Sequence, residues 1–489
     1  VTLVDEVRPL VERAVATYAG TAQEAPLRAV LERLDAPLRV AIAGKVKAGK
    51  STLLNALVGE RLAPTDEGEC TRIVTWYQDG ITYRVTLDPH QGEPRQVPFT
   101  RDEGAIDVDL QGESAEAVER LVVEWPTASL KRMTLIDTPG IASLSADVSA
   151  RTEAFLTPED EKATEADAVL YLMKHLHSSD VGFLEAFHDE ETSQATPVNA
   201  IAVLSRADEV GVGRLDSMES ARTIATRYRE DPKVRKLAQT VVAVAGLLAE
   251  TGGTLREAEF AALRTLAAAP EEDLEKLLLS ADRFVSAPTN VGLTELEREA
   301  LLGRFGVFGI RLAVHLIRGG EVTTATGLAD ALLARSGLDE LQAALLSQFA
   351  DRRDVLVART ALVAIEAAVR DHPVEGGDAL TADIERLVAG AHEFDELRLL
   401  NALRTGAVTA KPDDIEAMER LLGTEGGTVE ARLGLPGGAD RAQVAAAAQE
   451  TMARWQRRAE SPMSSPQLVD AARVLVRSCE QILVDLSHA

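Results

Sequence analysis

The chain has 489 residues, 46% of them apolar, with 52 Lys and Arg against 78 Asp and Glu, for a formal net charge of −26. That length exceeds one compact core and predicts two or three domains. The charge argues against broad nucleic-acid binding, which runs on phosphate neutralisation by basic side chains, and against coating an anionic bilayer with the whole surface.

Residues 1–36 read as two helices. Val4, Val7, Val11, Ala14 and Tyr18 share one face of the first, Pro9 would kink it or delay its start, and Gly20 is a stop. No signal peptide is expected, because this helix carries Asp5, Glu6, Arg8, Glu12 and Arg13. From Leu38 short apolar strands alternate with helical patterns: 38–43, 72–78, 82–88, 120–125, 133–137, 168–173, 199–204 and 240–245. The alternation predicts an α/β domain with a mostly parallel sheet and helices on both faces. The stretch 82–118 reads as a β-rich insertion.

After 246 the pattern is helical: 255–268, 271–284, 293–317 and on to the end. The best apolar run, 303–317, is broken by Arg304, Arg311 and His315, so no membrane span is expected. Residues 338–369 predict one helix about 50 Å long, with Ser336 as N-cap and Asp339 three residues on. Leu338, Leu341, Leu345, Phe349, Leu356 and Val363 run along one side, interrupted by Arg352. A turn at 371–378 and a helix at 380–403 complete a helical hairpin; Val374 is the turn's one sizeable apolar side chain, which makes it a poor lipid wedge. The last helix, 467–486, lines up Leu468, Ala472, Leu475, Cys479, Ile482 and Leu486, and is expected to pair with the first. The domains expected are 1–36, N-terminal helices; 37–320, the α/β domain; and 321–489, an elongated all-α bundle.

Gly44-Lys45-Val46-Lys47-Ala48-Gly49-Lys50-Ser51 is G-x-x-x-x-G-K-S between a strand and a helix. This is a phosphate-binding loop in the context it needs. Gly44 and Gly49 let backbone N–H groups turn inward, Ala48 and Thr52 belong to the same cradle, and the helix adds its positive end. Lys50 can bridge β- and γ-phosphates, and the Ser51 hydroxyl can ligate Mg²⁺. Leu135–Gly140 runs a strand into D-x-x-G: Asp137 can support Mg²⁺ through water, and the Gly140 N–H can meet a γ-phosphate. Ser205-Arg206-Ala207-Asp208 stands where GTP-binding domains carry N/T-K-x-D. A carboxylate at Asp208 accepts from guanine N1–H and the 2-amino group, a pair adenine lacks, and Arg206 can lie along the base. In Val244-Ala245-Gly246 a backbone N–H could reach guanine O6. The ligand expected is therefore GTP or GDP with Mg²⁺.

A threonine between loop and D-x-x-G should close on Mg²⁺ and the γ-phosphate. Thr71 is preferred, with Thr65 and Thr75 as alternatives. No glutamine stands at Ile141 to orient water, and Val46 cannot. Catalysis must then use backbone groups, Thr71, or a group from a second molecule. Lys47 could put positive charge near the α/β-phosphates; Lys45 could act across a dimer, though the Gly-Gly of that loop class is missing.

These segments resemble the dynamin superfamily, in which the long span between Lys50 and Asp137 and helices at both chain ends are at home. More closely, Lys47–Leu53, Ala63–Thr65, Cys70–Trp76, Ser205–Glu209 and Arg304–Arg311 resemble the actinobacterial isoniazid-inducible Ini family, over nearly the whole length. The resemblance implies a GTPase on a helical neck and trunk, self-association through G domains, and a related dynamin-like partner. It also implies cytoplasmic location with peripheral contact at the inner membrane face, and a link to cell-envelope stress.

Blander readings stand beside the sharper ones. Cys70 beside Thr71 is either a redox switch or a small apolar residue; Cys479 belongs to a core stripe, and two cysteines offer no disulfide framework. His175 and His177 read as exposed turn residues. His392-Glu393 lacks a second histidine for zinc. Arg454, Arg457 and Arg458 are a lipid-phosphate patch or a solvated helix face. Two rival functions are a GTP-gated scaffold with little hydrolysis and a GTPase that acts away from membranes.

Overall fold

The computed structural model describes residues 2–64, 73–102, 105–139, 166–175 and 199–488. Strand β1 (Leu38–Gly44) is buried along almost all its length, as a central strand covered on both faces must be. Around it lie β2 (Val74–Gln78), β3 (Arg84–Pro89), β4 (Arg95–Val97), β7 (Val118–Glu124), β8 (Met133–Asp137), β9 (Ala168–Met173), β10 (Ala200–Ser205) and β11 (Val241–Val244). The sheet order is β11-β10-β9-β1-β8-β2-β7-β3-β4. β11, β10, β9, β1 and β8 are parallel; β2 turns antiparallel to β8. The expected insertion supplies β3, β4 and a separate hairpin of β5 (Phe99–Asp102) and β6 (Ala105–Val108).

The chain leaves β1 between β8 and β9, which continue in opposite directions across the sheet. Ligands bind at such a divide, beyond the carboxyl ends of the strands. The register places Ile42 opposite Asp137 and Gly44 opposite Leu172. The phosphate loop and the D-x-x-G strand therefore end on the same edge.

Alternate residues of each strand feed two separate cores. Val40, Ile42, Leu170, Leu172, Ile201 and Val203 face helix α1 (Leu3–Thr17), helix α2 (Glu24–Arg33) and the C-terminal helices. Ala41, Ala43, Val169, Tyr171, Ala202 and Leu204 face the helices Ser217–Glu230, Glu257–Ala268, Glu295–Arg318 and Ala325–Ser336. The bundle is thus fused to one face of the sheet. Tyr18 donates to the carbonyls of Ala368 and His372 at 2.8 and 2.9 Å, and buried Arg33 pairs with Asp167 at 2.6 Å.

Several expectations change. Helix Ala325–Ser336 lies beyond the expected boundary at 320, yet its Leu328 and Leu332 sit in the second core. The α/β domain therefore runs to Ser336. The single helix at 338–369 is broken into Leu338–Gln348 and Arg353–Asp371 by a turn at Ala350–Arg352. There Phe349 is fully buried, and Arg352 turns aside to donate to the Leu422 carbonyl. The cap residue is Gly337, not Ser336; Ser336 ends the preceding helix, and its hydroxyl accepts from the Leu338 N–H at 3.1 Å. Gly337 has φ 81°, and a Cβ there would lie 2.1 Å from the Ala243 carbonyl oxygen, so only glycine lets this junction close onto β11.

The helix at 380–403 is likewise two, Gly377–Gly390 and His392–Thr405, with Ala391 extended between them. The terminal helices are not each other's main partners. α1 packs on Arg353–Asp371, α2 and Gly377–Gly390, whereas Pro466–His488 packs on Arg441–Glu460 and His392–Thr405. The apolar stripe of the last helix is buried at Leu468, Ala472, Leu475, Cys479 and Ile482 as expected, and burial pushes the Cys479 thiol to about 12. By length and composition Glu295–Arg318 could cross a bilayer, but Leu301, Phe305, Phe308 and Ile310 place it in the second core.

Candidate nucleotide site

The loop is built on one obligatory glycine. Gly44 has φ 150°, and a Cβ on it would lie 2.6 Å from the Leu172 carbonyl oxygen of β9. The turn beyond is tight: the Ala48 N–H donates to the Lys45 carbonyl at 3.1 Å, and Lys47 and Gly49 take φ 61° and 92°. Gly49 is the N-cap of helix α3 (Lys50–Val58), whose positive end faces the loop. Lys50 Nζ donates to the carbonyls of Gly44 and Lys45 at 3.2 and 3.4 Å. Ser51 Oγ donates to Asp137 Oδ2 at 2.9 Å.

Asp137 Oδ1 is buried and has no hydrogen-bond partner among the described residues. Burial pushes this carboxyl above its usual range, opposed by the Lys50 charge and the Ser51 hydroxyl; burial likewise pulls Lys50 down, opposed by Asp137. A hydroxyl beside an orphaned carboxylate oxygen is a hard-oxygen donor set of the kind Mg²⁺ takes.

Beside the loop lies a cavity of about 180 Å³. Ala48, Gly49 and Thr52 line it from the loop side; Ser205, Arg206 and Asp208 line it from the end of β10; Gly246 closes it from the helix Gly246–Gly253. Asp208 is half-buried, and burial raises its pKa against the pull of Arg206 and Lys174. Arg206 holds φ 53° and pairs with Glu209 at 2.6 Å. The Ser205 hydroxyl donates to the Met173 carbonyl at 3.3 Å, so it fastens β10 to β9.

Behind Asp208 the helix Glu295–Arg318 bends at Gly306. A Cβ at Gly306 would come 3.9 Å from Asp208 Oδ2 and 3.5 Å from Leu247. One turn further on, Arg311 donates to the carbonyls of Val212 and Gly213 at 3.1 and 2.6 Å, and so holds the loop after Asp208. The segment Arg304–Arg311 thus backs the Asp208 side of this cavity.

Ala245 is corrected. It is fully buried, lines no part of the cavity, and its N–H donates to the Ser336 carbonyl at 2.9 Å. Of the two residues named for guanine O6, Gly246 faces the pocket. Gly44, Lys50, Ser51 and Asp137 gather at the adjoining phosphate end; Val46 and Lys47 are exposed at the loop's outer edge. Thr75 sits in β2 opposite Asp137, with its hydroxyl donating to the Ile73 carbonyl at 3.2 Å. Thr65, Cys70, Thr71, Gly140, Ile141 and His177 lie outside the described residues. Leu247 and Glu209, which line the cavity, were missed, as were the buried polar residues Asn55 and Glu250; the one available signal was Asn55 as the lone polar residue of the apolar run Leu53–Val58.

Elsewhere, Arg454 and Arg458 both clasp buried Asp414 at 2.7 Å, which takes two of the three basic residues away from a lipid patch. His392 Nε2 meets Ser478 Oγ at 2.9 Å, and no metal-binding cluster occurs among the described residues. His175 is exposed, and Val374 packs partly buried against the first core.

A mostly parallel sheet with a phosphate-loop motif at its divide and an Asp208-lined cavity beside it is the form of a GTPase-type α/β domain. The sequence profile of the dynamin family matches residues 40–204. Over 490 aligned residues the chain is 41% identical to the isoniazid-induced protein IniC of Mycobacterium tuberculosis (strain H37Rv), covering 99% of each chain. It belongs to the IniC family of bacterial dynamin-like GTPases. A bacterial dynamin-like protein of Nostoc punctiforme is 32% identical over 147 residues, 28% of this chain and 20% of that one. A solved structure described as an oligomerised bacterial dynamin pair for sensing and tethering membranes aligns over 99% of this chain and 79% of its own. Its identity to this chain is 14% and the TM-score 0.33.

Proposed function

We propose that this chain binds GTP with Mg²⁺, hydrolyses it to GDP, and turns over faster when two G domains pair. The observation that supports this most is one cavity lined by Ala48, Gly49 and Thr52 of the phosphate loop together with Asp208 and Gly246, while Ser51, in the same loop, holds Asp137. In this reading Lys50, Gly49 and the loop amides hold the phosphates, with Gly44, Ala48 and Thr52 shaping the cradle. Asp208 selects guanine, Arg206 flanks the base, and the Gly246 N–H meets O6. Ser51 and Thr71 would ligate Mg²⁺ and Asp137 would support it through water; the ion would supply charge neutralisation to the phosphates. The Gly140 N–H meets the γ-phosphate.

The reaction is in-line attack of water on the γ-phosphorus. Lys50 leaves the Gly44 and Lys45 carbonyls to meet the phosphates, and Lys47 adds positive charge as the leaving group develops. Val46 is an exposed apolar side chain where a water-orienting group could stand. The missing group is then the backbone, Thr71, or a second copy, and this is what supports self-association. Titration calorimetry tests the base role: ATP bound as tightly as GTP would sink it. Lys50→Ala should lose both binding and turnover.

Val46 and Ile141 favour a second reading, a GTP-gated scaffold that barely hydrolyses. Single-turnover rates against protein concentration separate the two, because a pairing GTPase speeds up and a passive switch does not. For the place of action we propose the cytoplasm, with peripheral contact at the inner membrane face and a related dynamin-like partner, on the strength of the family. Liposome co-sedimentation with and without GTP tests it; no sedimentation in either state would leave a GTPase that acts away from lipid.

A further inference from the structure

The loop that follows Asp208 is held in a backbone shape it would not choose alone. Gly211, Val212 and Gly213 take φ 65°, 65° and 66°, three left-handed residues in succession. The two glycines adopt this freely, but Val212 is β-branched, and such a side chain is strained at positive φ. Val212 is 82% exposed, so apolar packing does not hold it there. Polar contacts do. Arg311 Nη1 donates to the carbonyls of Val212 and Gly213 at 3.1 and 2.6 Å, and its Nη2 donates to the Leu278 carbonyl. The Val212 N–H donates to the Glu209 carbonyl at 3.1 Å, and the Ser217 hydroxyl lies 2.6 Å from the carbonyls of both Val210 and Arg214.

The clamp reaches Asp208 from two sides. A Cβ on Gly213 would lie 3.7 Å from the Asp208 carbonyl oxygen and 3.5 Å from the Phe308 nitrogen, so the loop closes on Asp208 and on the helix Glu295–Arg318 together. Gly306 takes φ 60° and ψ 176°, a region open in practice to glycine alone, and a Cβ there would lie 3.9 Å from Asp208 Oδ2. The helix therefore passes behind the carboxylate with no side chain between them. Phe305, Phe308 and Ile310 anchor it in the second core, which makes it a rigid support. A carboxylate that must accept from two donors of one base tolerates little displacement, because hydrogen bonds weaken steeply off axis.

We propose that Arg311 is a positioning residue for base selection. By clamping Val212 and Gly213 it fixes Asp208 where one carboxylate meets both guanine donors, and so sets how far guanine nucleotides are preferred over adenine nucleotides. This deepens the GTPase reading and rests on it. Arg311 lines no part of the cavity, so its effect passes through Asp208 and not through contact with the nucleotide.

The test uses the full chain as wild type, Arg311→Ala, Arg311→Lys, Arg318→Ala, Asp208→Ala, and Asp208→Ala combined with Arg311→Ala. Titration calorimetry reads GDP and ADP affinity for each. Arg311→Ala should weaken GDP by about tenfold, the size of a charged hydrogen-bond donor removed, and ADP by less than about twofold. Arg311→Lys keeps one ammonium where a planar fork served carbonyls on two sides, and should weaken GDP by about threefold. Arg318, on the same helix, makes the same kind of contact away from the loop, donating to the Ala267 and Ala269 carbonyls at 2.9 and 2.6 Å. Arg318→Ala should leave the GDP preference unchanged. In the Asp208→Ala background, Arg311→Ala should move GDP affinity by less than about twofold, because the group it acts through is gone. A wild-type GDP preference in Arg311→Ala would overturn the inference. So would an equal loss for GDP and ADP, the same shift in Arg318→Ala, or a full further loss in the Asp208→Ala background, each of which marks a merely structural role. Should Arg311→Ala fail to fold, Arg311→Lys decides by the same criteria. A wild type that binds GDP no better than ADP would instead overturn the GTPase reading, and this inference with it.

Discussion

Asp208→Ala is the sharpest perturbation of the site. The carboxylate is half-buried between the loop 206–213 and the Gly306 bend, and burial raises its pKa. Guanine offers it two donors, and hydrogen bonds to a charged group contribute about 1.5–3 kcal/mol each. The variant should therefore lose about 3–6 kcal/mol of GTP and GDP affinity, a factor of about 10²–10⁴. Adenine lacks this donor pair, so ATP affinity should move by less than about threefold, or under 1 kcal/mol. Titration calorimetry with the three nucleotides reads both numbers. An equal loss for GTP and ATP would refute the reasoning.

The same carboxylate gives the site a pH dependence. It must be ionised to accept from guanine, so GTP affinity should fall as pH drops through a value above the ordinary 3.8. Its effect on stability has the opposite sense. The folded chain holds this proton more tightly than the unfolded one, so the contribution is complete below 3.8 and is lost as pH rises through the folded value. Asp208→Asn should abolish both slopes, and a slope that survives would assign them elsewhere.

Gly44→Ala drives a methyl group to 2.6 Å from the Leu172 carbonyl oxygen in a paired strand, and should cost about 2–3 kcal/mol in urea unfolding together with nucleotide binding. An unchanged midpoint would contradict it. Gly337→Ala should be worse, because the oxygen it meets, that of Ala243, is only 2.1 Å away; circular dichroism melting should show a clear drop, and a wild-type melt would count against the close packing of the bundle's entry on β11. In the bundle, burial alone would raise the Glu396 carboxyl, yet the His392 hydrogen bond, the Arg432 charge and the Ser478 hydroxyl hold it at about 2. Its stabilisation is present above 4.5 and lost as pH falls through about 2. Glu396→Gln should cost about 3 kcal/mol at neutral pH, measured by urea titration, and cost little near pH 2; equal losses at both would reject the charge-based account.

Most of the α/β domain was legible because its signals are local. Each of the eight expected strands is present, since a buried strand declares itself by a short apolar run between turns. The loop Gly44–Ser51, Asp137 and Asp208 stood out because their chemistry demands fixed residue types at strand ends. The bundle was harder to read. An apolar stripe from Leu338 to Val363 is compatible with one straight helix, and only the Leu422 carbonyl waiting for Arg352 shows where it breaks.

Ala245 and Gly246 mark the same divide within the site. Both stand at a strand end with an N–H to offer, and no local pattern distinguishes them. The choice falls to Ser336, distant in sequence, whose carbonyl takes the Ala245 proton and leaves Gly246 at the cavity. The fate of the two buried polar residues Asn55 and Glu250 was likewise out of reach, because a buried polar side chain acquires meaning only from the groups folding brings against it. Periodicity and residue chemistry were enough for the strands and the phosphate-loop turn. Which donors are spent, where helices break and which buried charges meet was decided by tertiary contact, because a hydrogen bond between distant residues leaves no trace in the pattern around either one.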